Sequence, residues 1–405
     1  MAVSLFAHEV SDLCLGKPAL RSLSVTATVG EALSALKKLG DSCISVWSCD
    51  HSKSSCIGDE SCCRCVGKVC MVDVICFLCK EDNLSSPLTA LQAPVSDLIP
   101  KDTTLFIDSA ALGFLYFLDT ISLKFSRVLL VEAIDLILEG AQNLVIPIQT
   151  KNSTRKKPLI NNPLSDSTLH KNREYCWLTQ EDIIRYLLNC IGLFCPTAIN
   201  PINALKVIDF DDIPVVHYDD PASSALTLIS NSLVHQTSVA IVDVEGKLIG
   251  EISPFTLNSC EETTAAAIAT LSAGDLMAYI DGGGPPEDLV QLVKERLEER
   301  SYGAFVELME EESTISSSSS FCSCSSDDEF GPVRSGKLGS YSARLVRRSE
   351  AIVCYPWSSM VAVMIQALAH RVSYVWVVEE DGTLSGIVTF AGMLKVFREH
   401  VKSMG

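Results

Sequence analysis

The chain has 405 residues, of which 47% are hydrophobic and 20% are charged, so it has room for about two to four compact units that each bury a core. Lys and Arg total 32 against 50 Asp and Glu, which gives a net charge of −18. This acidic balance argues against general binding to nucleic acid or to an anionic membrane surface, because both require a basic face.

The amino-terminal residues MAVSLFAHEVSDLCLGK carry Glu9 and Asp12 and lack the apolar stretch of a signal peptide. Charged residues interrupt the apolar region 105–148, so no run reaches the length of a membrane span. The sequence therefore predicts a soluble, cytoplasmic protein. Its 17 cysteines are predicted to be reduced thiols, because they are odd in number and no export signal is present.

The first predicted unit, residues 1–88, places a helix and a β-rich run in GEALSALKKLGDSCISVW (30–47), where apolar residues recur at helical spacing. An insertion at 48–65 follows. Six cysteines lie from Cys49 to Cys70, with His51 among them, and the C-x6-C-x5-C-C-x-C spacing of the first five matches no paired zinc knuckle. We favour a variable, reduced hairpin loop, and a zinc site is the alternative.

The second predicted unit, residues 89–200, repeats the phrases of the first. VSDL at 10–13 recurs at 95–98, and VEAIDLILEGAQNLVIPI (131–148) aligns with 30–47. An insertion at 150–173 holds six Lys and Arg against one Asp. A helix is predicted to follow, in QEDIIRYLL after residue 180.

The third and fourth predicted units, 201–265 and 266–405, contain two hairpins that align without a gap. SVAIVDVEGKLIGEISP (238–254) falls on YVWVVEEDGTLSGIVTF (374–390), with tight turns at Glu245-Gly246 and Asp381-Gly382. Prolines in FCPTAINPIN (194–203) mark a break between two pairs of units, and each pair is predicted to fold without the other.

A long insertion at 281–345 interrupts the fourth unit. Its first part, PPEDLVQLVKERLEER (285–300), predicts a helix, because prolines and acids lie at its start and an arginine at its end. Its second part, ESTISSSSSFCSCSSDDEFG (312–331), is rich in serine and lacks apolar periodicity, which predicts disorder.

Four units opened by VSDL-type phrases and closed by DGTLSGIVTF before a helix resemble cystathionine-β-synthase (CBS) domains. Such domains pair into Bateman modules, and four in one chain resemble the γ regulatory subunit of AMP-activated and SNF1-related kinases and the four-repeat plant proteins of the CBSX type. The resemblance covers nearly the whole chain outside the insertions. It implies an α/β (α+β) fold of four CBS-type repeats (helix-strand-strand-helix), paired into two Bateman modules at about 1–200 and 201–405.

The resemblance also implies where a ligand binds. The family's closing phrase reads G-h-h-[ST]-x-x-D, in which the hydroxyl faces nucleotide phosphate and the aspartate takes the ribose diol. The second unit, CWLTQED, keeps both polar positions in Thr179 and Asp182, with Cys176 in place of the glycine. The first unit, GKVCMVD, keeps Asp73 but has Cys70 where the hydroxyl belongs.

The third and fourth units each keep the hydroxyl and lose the carboxylate. GEISPFT has Ser253 but ends in Thr256, and GIVTFAG has Thr389 but ends in Gly392. Arg371 ends a predicted helix at the edge that borders the ligand cleft in this fold, which makes it a candidate for phosphate. Each hydroxyl has a second interpretation as the N-cap of the following helix, and Asp182 has one as an acid in a first helical turn.

No catalytic constellation is visible. GPVRSGKL (331–338) has the glycine and lysine spacing of a phosphate loop, but Leu338 replaces the hydroxyl that holds magnesium. The resemblance implies a non-enzymatic regulatory protein that binds an adenosine-type ligand, AMP, ADP or ATP, and modulates a partner protein such as a kinase complex. The alternative is a ligand-free interaction scaffold that keeps the fold and has lost the sites.

Overall fold

A computed structural model describes residues 8–39, 42–49, 63–99, 106–108, 129–148, 174–281, 284–318 and 350–404. Within these ranges the chain forms four three-stranded sheets of identical order. In each sheet a short leading strand pairs parallel with a middle strand, which pairs antiparallel with a closing strand. This repetition confirms the predicted α/β fold.

The first two units lie in the amino-terminal half. The first comprises α1 (Val10–Leu13), β1 (Ser22–Ser24), α2 (Val29–Leu39), β2 (Ile44–Cys49), β3 (Cys63–Val69), α3 (Met71–Leu78), α4 (Glu81–Ser85) and α5 (Pro87–Ala90). The second comprises a 3-10 turn (Val95–Leu98), β4 (Phe106–Asp108), α6 (Leu130–Leu138), β5 (Asn143–Pro147), β6 (Tyr175–Thr179), α7 (Gln180–Asn189) and 3-10 turns at Ile191–Phe194 and Thr197–Ile199.

The other two units follow the same plan. The third comprises β7 (Val215–His217), a 3-10 turn (Ala222–Ala225), α8 (Leu226–His235), β8 (Val239–Val242), β9 (Leu248–Ile252), α9 (Pro254–Leu257) and α10 (Thr264–Thr270). The fourth comprises α11 (Ala273–Ile280), α12 (Glu287–Glu299), α13 (Gly303–Ser318), β10 (Val353–Cys354), α14 (Met360–His370), β11 (Tyr374–Val378), β12 (Leu384–Thr389) and α15 (Phe390–Met404).

The predicted hairpin turns and insertion helix are confirmed. Gly246 and Gly382 have φ of 78° and 86°, a conformation that glycine adopts without steric cost. Helix α12 covers 287–299, inside the predicted 285–300. The residue boundaries assigned to the four units from the sequence are still a prediction.

The insertions differ in part from their prediction. Strand β2 runs to Cys49 and β3 begins at Cys63, so both enter the stretch assigned to the first insertion, 48–65. Helix α13 continues to Ser318, so the disorder predicted from residue 312 is wrong for 312–318. The remaining parts of the cysteine-rich, basic and serine-rich segments (50–62, 149–173 and 319–349) lie outside the described residues.

The two units of each pair exchange their leading segments. Helix α1 contacts α7 and β5 of the second unit, whereas the turn Val95–Leu98 contacts α2 and α3 of the first. In the second pair, the Ile202 N–H donates to the Ser358 carbonyl at 2.9 Å, and the Ala273 N–H donates to the Asp220 carbonyl at 2.8 Å. A unit's leading segment therefore completes the neighbouring unit.

The hydrophobic core runs between the pairs. One cluster joins helices of the first and third units with α12 and α13, and a second joins helices of the second and fourth units. Two ion pairs also cross: Lys37 Nζ lies 2.7 Å from Glu262 Oε2, and Arg398 holds both Asp135 oxygens at 2.7 and 2.8 Å. The prediction that each pair folds without the other is at odds with this shared core.

None of the helices in the described part of the chain has the length and apolar character needed to span a membrane.

Buried thiols make alkaline pH destabilising. Burial raises the pKa of Cys70 and of Cys79 well above the ordinary value of 9.0. Above pH 9 these thiols ionise in the unfolded chain but not in the native one. We expect each to lower the free energy of unfolding by about 1.4 kcal/mol per pH unit until its native pKa is reached.

Denaturant unfolding of the reduced protein between pH 8 and 10.5 measures this slope. The Cys79→Ala variant should have a smaller slope than the unmodified chain, whatever its stability at pH 8. An equal slope in both proteins would contradict the assignment to Cys79.

Candidate functional site

The closing turn of the second unit brings Thr179 and Asp182 together. Thr179 is the N-cap of α7. Its N–H and its hydroxyl both donate to Asp182 Oδ2 at 2.7 Å, and the Asp182 N–H donates back to Thr179 Oγ1 at 3.3 Å. This reciprocal capping box fixes both side chains at the start of the helix.

A residue from the first unit's leading segment completes this turn. The Lys17 ammonium contacts Asp182 Oδ2 and donates to the Trp177 carbonyl at 2.7 Å. The side chains of Lys17 and Asp182 are 23% and 22% exposed, so the ion pair is partly accessible to solvent rather than buried in the core. Sequence reasoning missed Lys17, which is 165 positions from its partner.

The first unit has a thiol variant of the same turn. The Cys70 N–H and thiol both donate to Asp73 Oδ2, at 2.7 and 3.0 Å. Burial raises the pKa of Asp73, and the hydrogen bonds from Cys70 lower it in part. Asn258 of the third unit accepts the Val72 N–H at 3.2 Å, so a side chain already occupies part of this helix start.

The third unit's hydroxyl is enclosed by protein. Ser253 is 4% exposed and accepts the Phe255 N–H at 3.2 Å as the N-cap of α9. Tyr374 of the fourth unit is 3% exposed, and Ser253 takes part in its hydrogen bonding. Thr256, at the position of the family's aspartate, is 7% exposed. In the described structure Ser253 therefore faces Tyr374 rather than an open cleft.

A buried carboxylate joins the sheets of the third and fourth units. Glu251, on β9, is 6% exposed. It accepts the Tyr374 hydroxyl at 2.7 Å and the Trp376 indole N–H at 2.6 Å. Sequence analysis did not single out these three residues. The available signal was a lone acid in the apolar strand LIGEI.

The fourth unit is tightly packed at the position of the family's aspartate. Thr389 is half-buried, and its Oγ1 accepts the Gly392 N–H at 3.1 Å. A Cβ added at Gly392 would lie 3.3 Å from the Val207 carbonyl oxygen, so an aspartate there would require the leading segment to shift. Arg371 is exposed at the carboxyl end of α14, with a φ of 55°.

Comparison with known proteins identifies the family. No protein-family model matches the chain. The CBS domain-containing protein CBSX5 of Arabidopsis thaliana is 47% identical over 414 aligned residues, which cover 100% of both chains. The chain belongs to the CBS domain-containing proteins. CBSX6 of Arabidopsis thaliana is 25% identical over 440 aligned residues, covering 97% of this chain and 94% of CBSX6.

A solved structure supports the CBS fold. The crystal structure of protein MJ1225 from Methanocaldococcus jannaschii, described as an archaeal homologue of the AMPK γ subunit, covers 96% of this chain and 100% of its own. Its TM-score is 0.50 and its sequence identity is 15%, a likeness of fold alone. The four repeats are thus CBS repeats, of which the second alone combines the family's hydroxyl and carboxylate.

Proposed function

We propose that this CBS-domain protein is a non-enzymatic regulator that binds an adenosine nucleotide at the closing turn of the second repeat and thereby modulates a partner protein. The observation that carries the proposal is the capping box of Thr179 and Asp182, with Lys17 beside it. Together these residues place a hydroxyl, a partly exposed carboxylate and a cation at one helix start. Those are the groups that a ribose diol and a phosphate require.

The remaining hydrogen-bonding capacity of the turn fits such a ligand. All three donors to Asp182 use Oδ2, and no described residue donates to Oδ1. A carboxylate oxygen has two lone pairs, so Oδ1 can accept both hydroxyls of a cis-diol. The first N–H groups of α7 point out of the helix start, where they favour an anion.

A second candidate function is a ligand-free interaction scaffold. Lys17 already neutralises Asp182, and the hydroxyl of the third repeat is closed by Tyr374. Both observations favour a fold that keeps its shape without nucleotide. The two candidates separate in equilibrium dialysis of the full chain against AMP, ADP, ATP and S-adenosylmethionine. Binding of a nucleotide supports the first, and no binding at millimolar concentration supports the scaffold.

Changing Asp182 to alanine is expected to weaken nucleotide binding about ten- to a hundredfold. The change removes the acceptor for the ribose diol, a loss of about 1.5–3 kcal/mol. Isothermal titration or dialysis measures the affinity. Asp73→Ala is the matched control, because it removes an equivalent capping box from a turn that lacks the hydroxyl. Equal affinities for the unmodified chain and Asp182→Ala would exclude the second repeat as the site.

Changing Lys17 to methionine is expected to weaken AMP binding about three- to tenfold and to leave adenosine binding unchanged or tighter. The ammonium contacts the Asp182 carboxylate of the turn, and its loss removes a charge-assisted contact to phosphate. Adenosine has no phosphate to lose a contact. In the variant it can also reach the Asp182 carboxylate, because Lys17 no longer contacts it. Equal weakening of both ligands would contradict a phosphate role for Lys17.

A further inference from the structure

Two buried cysteines meet where the first repeat's leading segment crosses the second repeat. Cys14 follows helix α1, and Cys176 lies on β6; they are 4% and 1% exposed and belong to the same core cluster. Two contacts hold the segment on this strand: the Leu20 N–H donates to the Tyr175 carbonyl at 2.7 Å, and Lys17 donates to the Trp177 carbonyl. Cys176 lies between these two carbonyls.

The two thiols contact each other and have different electrostatic surroundings. The interaction between the two thiols lowers the pKa of Cys176 and raises that of Cys14. The Lys17 ammonium lowers the pKa of both thiols, and the Asp182 carboxylate raises it. Cys176 is therefore the better nucleophile, because thiolate rather than thiol attacks an oxidant.

We propose that Cys14 and Cys176 form a redox-active pair, in which a peroxide or a small disulfide converts the two thiols to a disulfide that links the leading segment to β6. With hydrogen peroxide, the Cys176 thiolate attacks one oxygen and releases hydroxide, which leaves a sulfenic acid. The Cys14 sulfur then forms the S–S bond and displaces the second oxygen as water. The hydroxide takes up the remaining proton, so two thiols lose two electrons and peroxide becomes two waters.

The leading segment can give a small oxidant access to the pair. Helix α1 has four residues, and Glu9 directly before it forms an isolated antiparallel bridge with Leu129. Short helical segments open locally at a lower free-energy cost than long core elements do. Hydrogen peroxide is about the size of water and needs only such an opening. Oxidation would then close the segment over the strand.

The disulfide would also act on the neighbouring turn, a consequence that rests on the proposed function. Lys17 is three residues after Cys14, and Thr179 is three residues after Cys176. Fixing the two backbones to each other holds Lys17 against Asp182. A ligand that must draw Lys17 onto its phosphate would then bind the oxidised protein more weakly, by roughly three- to tenfold.

Peptide mapping of the full chain tests the pair directly. The reduced protein is treated with hydrogen peroxide or oxidised glutathione, its free thiols are alkylated, and it is digested with trypsin without reductant. Residues 1–21 contain Cys14 alone, and residues 174–185 contain Cys176 alone. We expect these two peptides to be joined in a species that dithiothreitol separates. Recovery of both as alkylated free thiols, or each joined to another cysteine, would overturn the proposal.

Variants and a binding measurement separate the remaining outcomes. Cys14→Ser and Cys176→Ser should each abolish the joined species, and Cys354→Ser, a buried thiol of the fourth repeat, should retain it. If a variant fails to fold, the map of the unmodified chain still decides. AMP affinity is then compared between oxidised and reduced protein. A disulfide with unchanged AMP affinity overturns the coupling alone, and a disulfide in a protein that binds no nucleotide overturns the proposed function alone.

Discussion

Residues 1–200 produced without residues 201–405 are expected to aggregate, and the carboxyl-terminal half alone is expected to do the same. The helices that face outward in an isolated half form the shared core of the whole chain, where α6 contacts α15 and α7 contacts α14. Ile134 and Ile184 on one side and Phe397 on the other are completely buried there. Exposing such a face leaves an apolar patch that favours association.

Co-production of the two halves is the matched control. Residues 1–200 and 201–405 made in the same cell should form a soluble one-to-one complex, because the core and the ion pairs at Lys37 and Arg398 do not depend on the connecting bond. Size-exclusion chromatography with light scattering measures both cases. A monomeric, cooperatively unfolding 1–200 fragment would show that the first Bateman module is stable by itself.

The turns and helix starts of the repeated unit could be predicted from the sequence, because neighbouring residues determine them. Gly246 and Gly382 marked both hairpin turns, since the left-handed conformation they adopt is unfavourable for other residues. The N-cap interpretation of Thr179 and the first-turn interpretation of Asp182 are both confirmed, because a capping box needs only their three-residue spacing. Helix α12 likewise followed from its prolines and acids.

Contacts between units were not predictable in the same way. Lys17 reaches Asp182 because leading segments are exchanged within a pair, and nothing in residues 10–21 specifies which unit they complete. The prolines near residue 200 suggested separable halves. The apolar helix faces that join the halves have the same sequence pattern whether they cover their own unit or another. Glu251 is a similar case, because its partners lie 123 and 125 residues away.

The stability of the third and fourth units depends on the hydrogen bonds that Tyr374 and Trp376 donate to the Glu251 carboxylate. Tyr374→Phe is expected to destabilise the protein by about 1.5–3 kcal/mol, because one buried oxygen loses its donor. Trp376→Phe should cost about 2–4 kcal/mol, since it removes a donor and also core volume. Trp357→Phe is the control: this residue is 52% exposed and stacks on Tyr355, so its change should stay within about 0.5 kcal/mol.

The decisive comparison is Glu251→Leu in two backgrounds. In the otherwise unchanged protein it leaves the Tyr374 hydroxyl and the Trp376 N–H without their acceptor, so we expect a loss of about 2–4 kcal/mol. In the Tyr374→Phe, Trp376→Phe double variant the same change leaves neither of these donors without an acceptor, so it should cost less. Denaturant unfolding measures all four proteins. Equal costs in both backgrounds would mean that Tyr374 and Trp376 do not hold the carboxylate, and a smaller cost in the double variant means that they do.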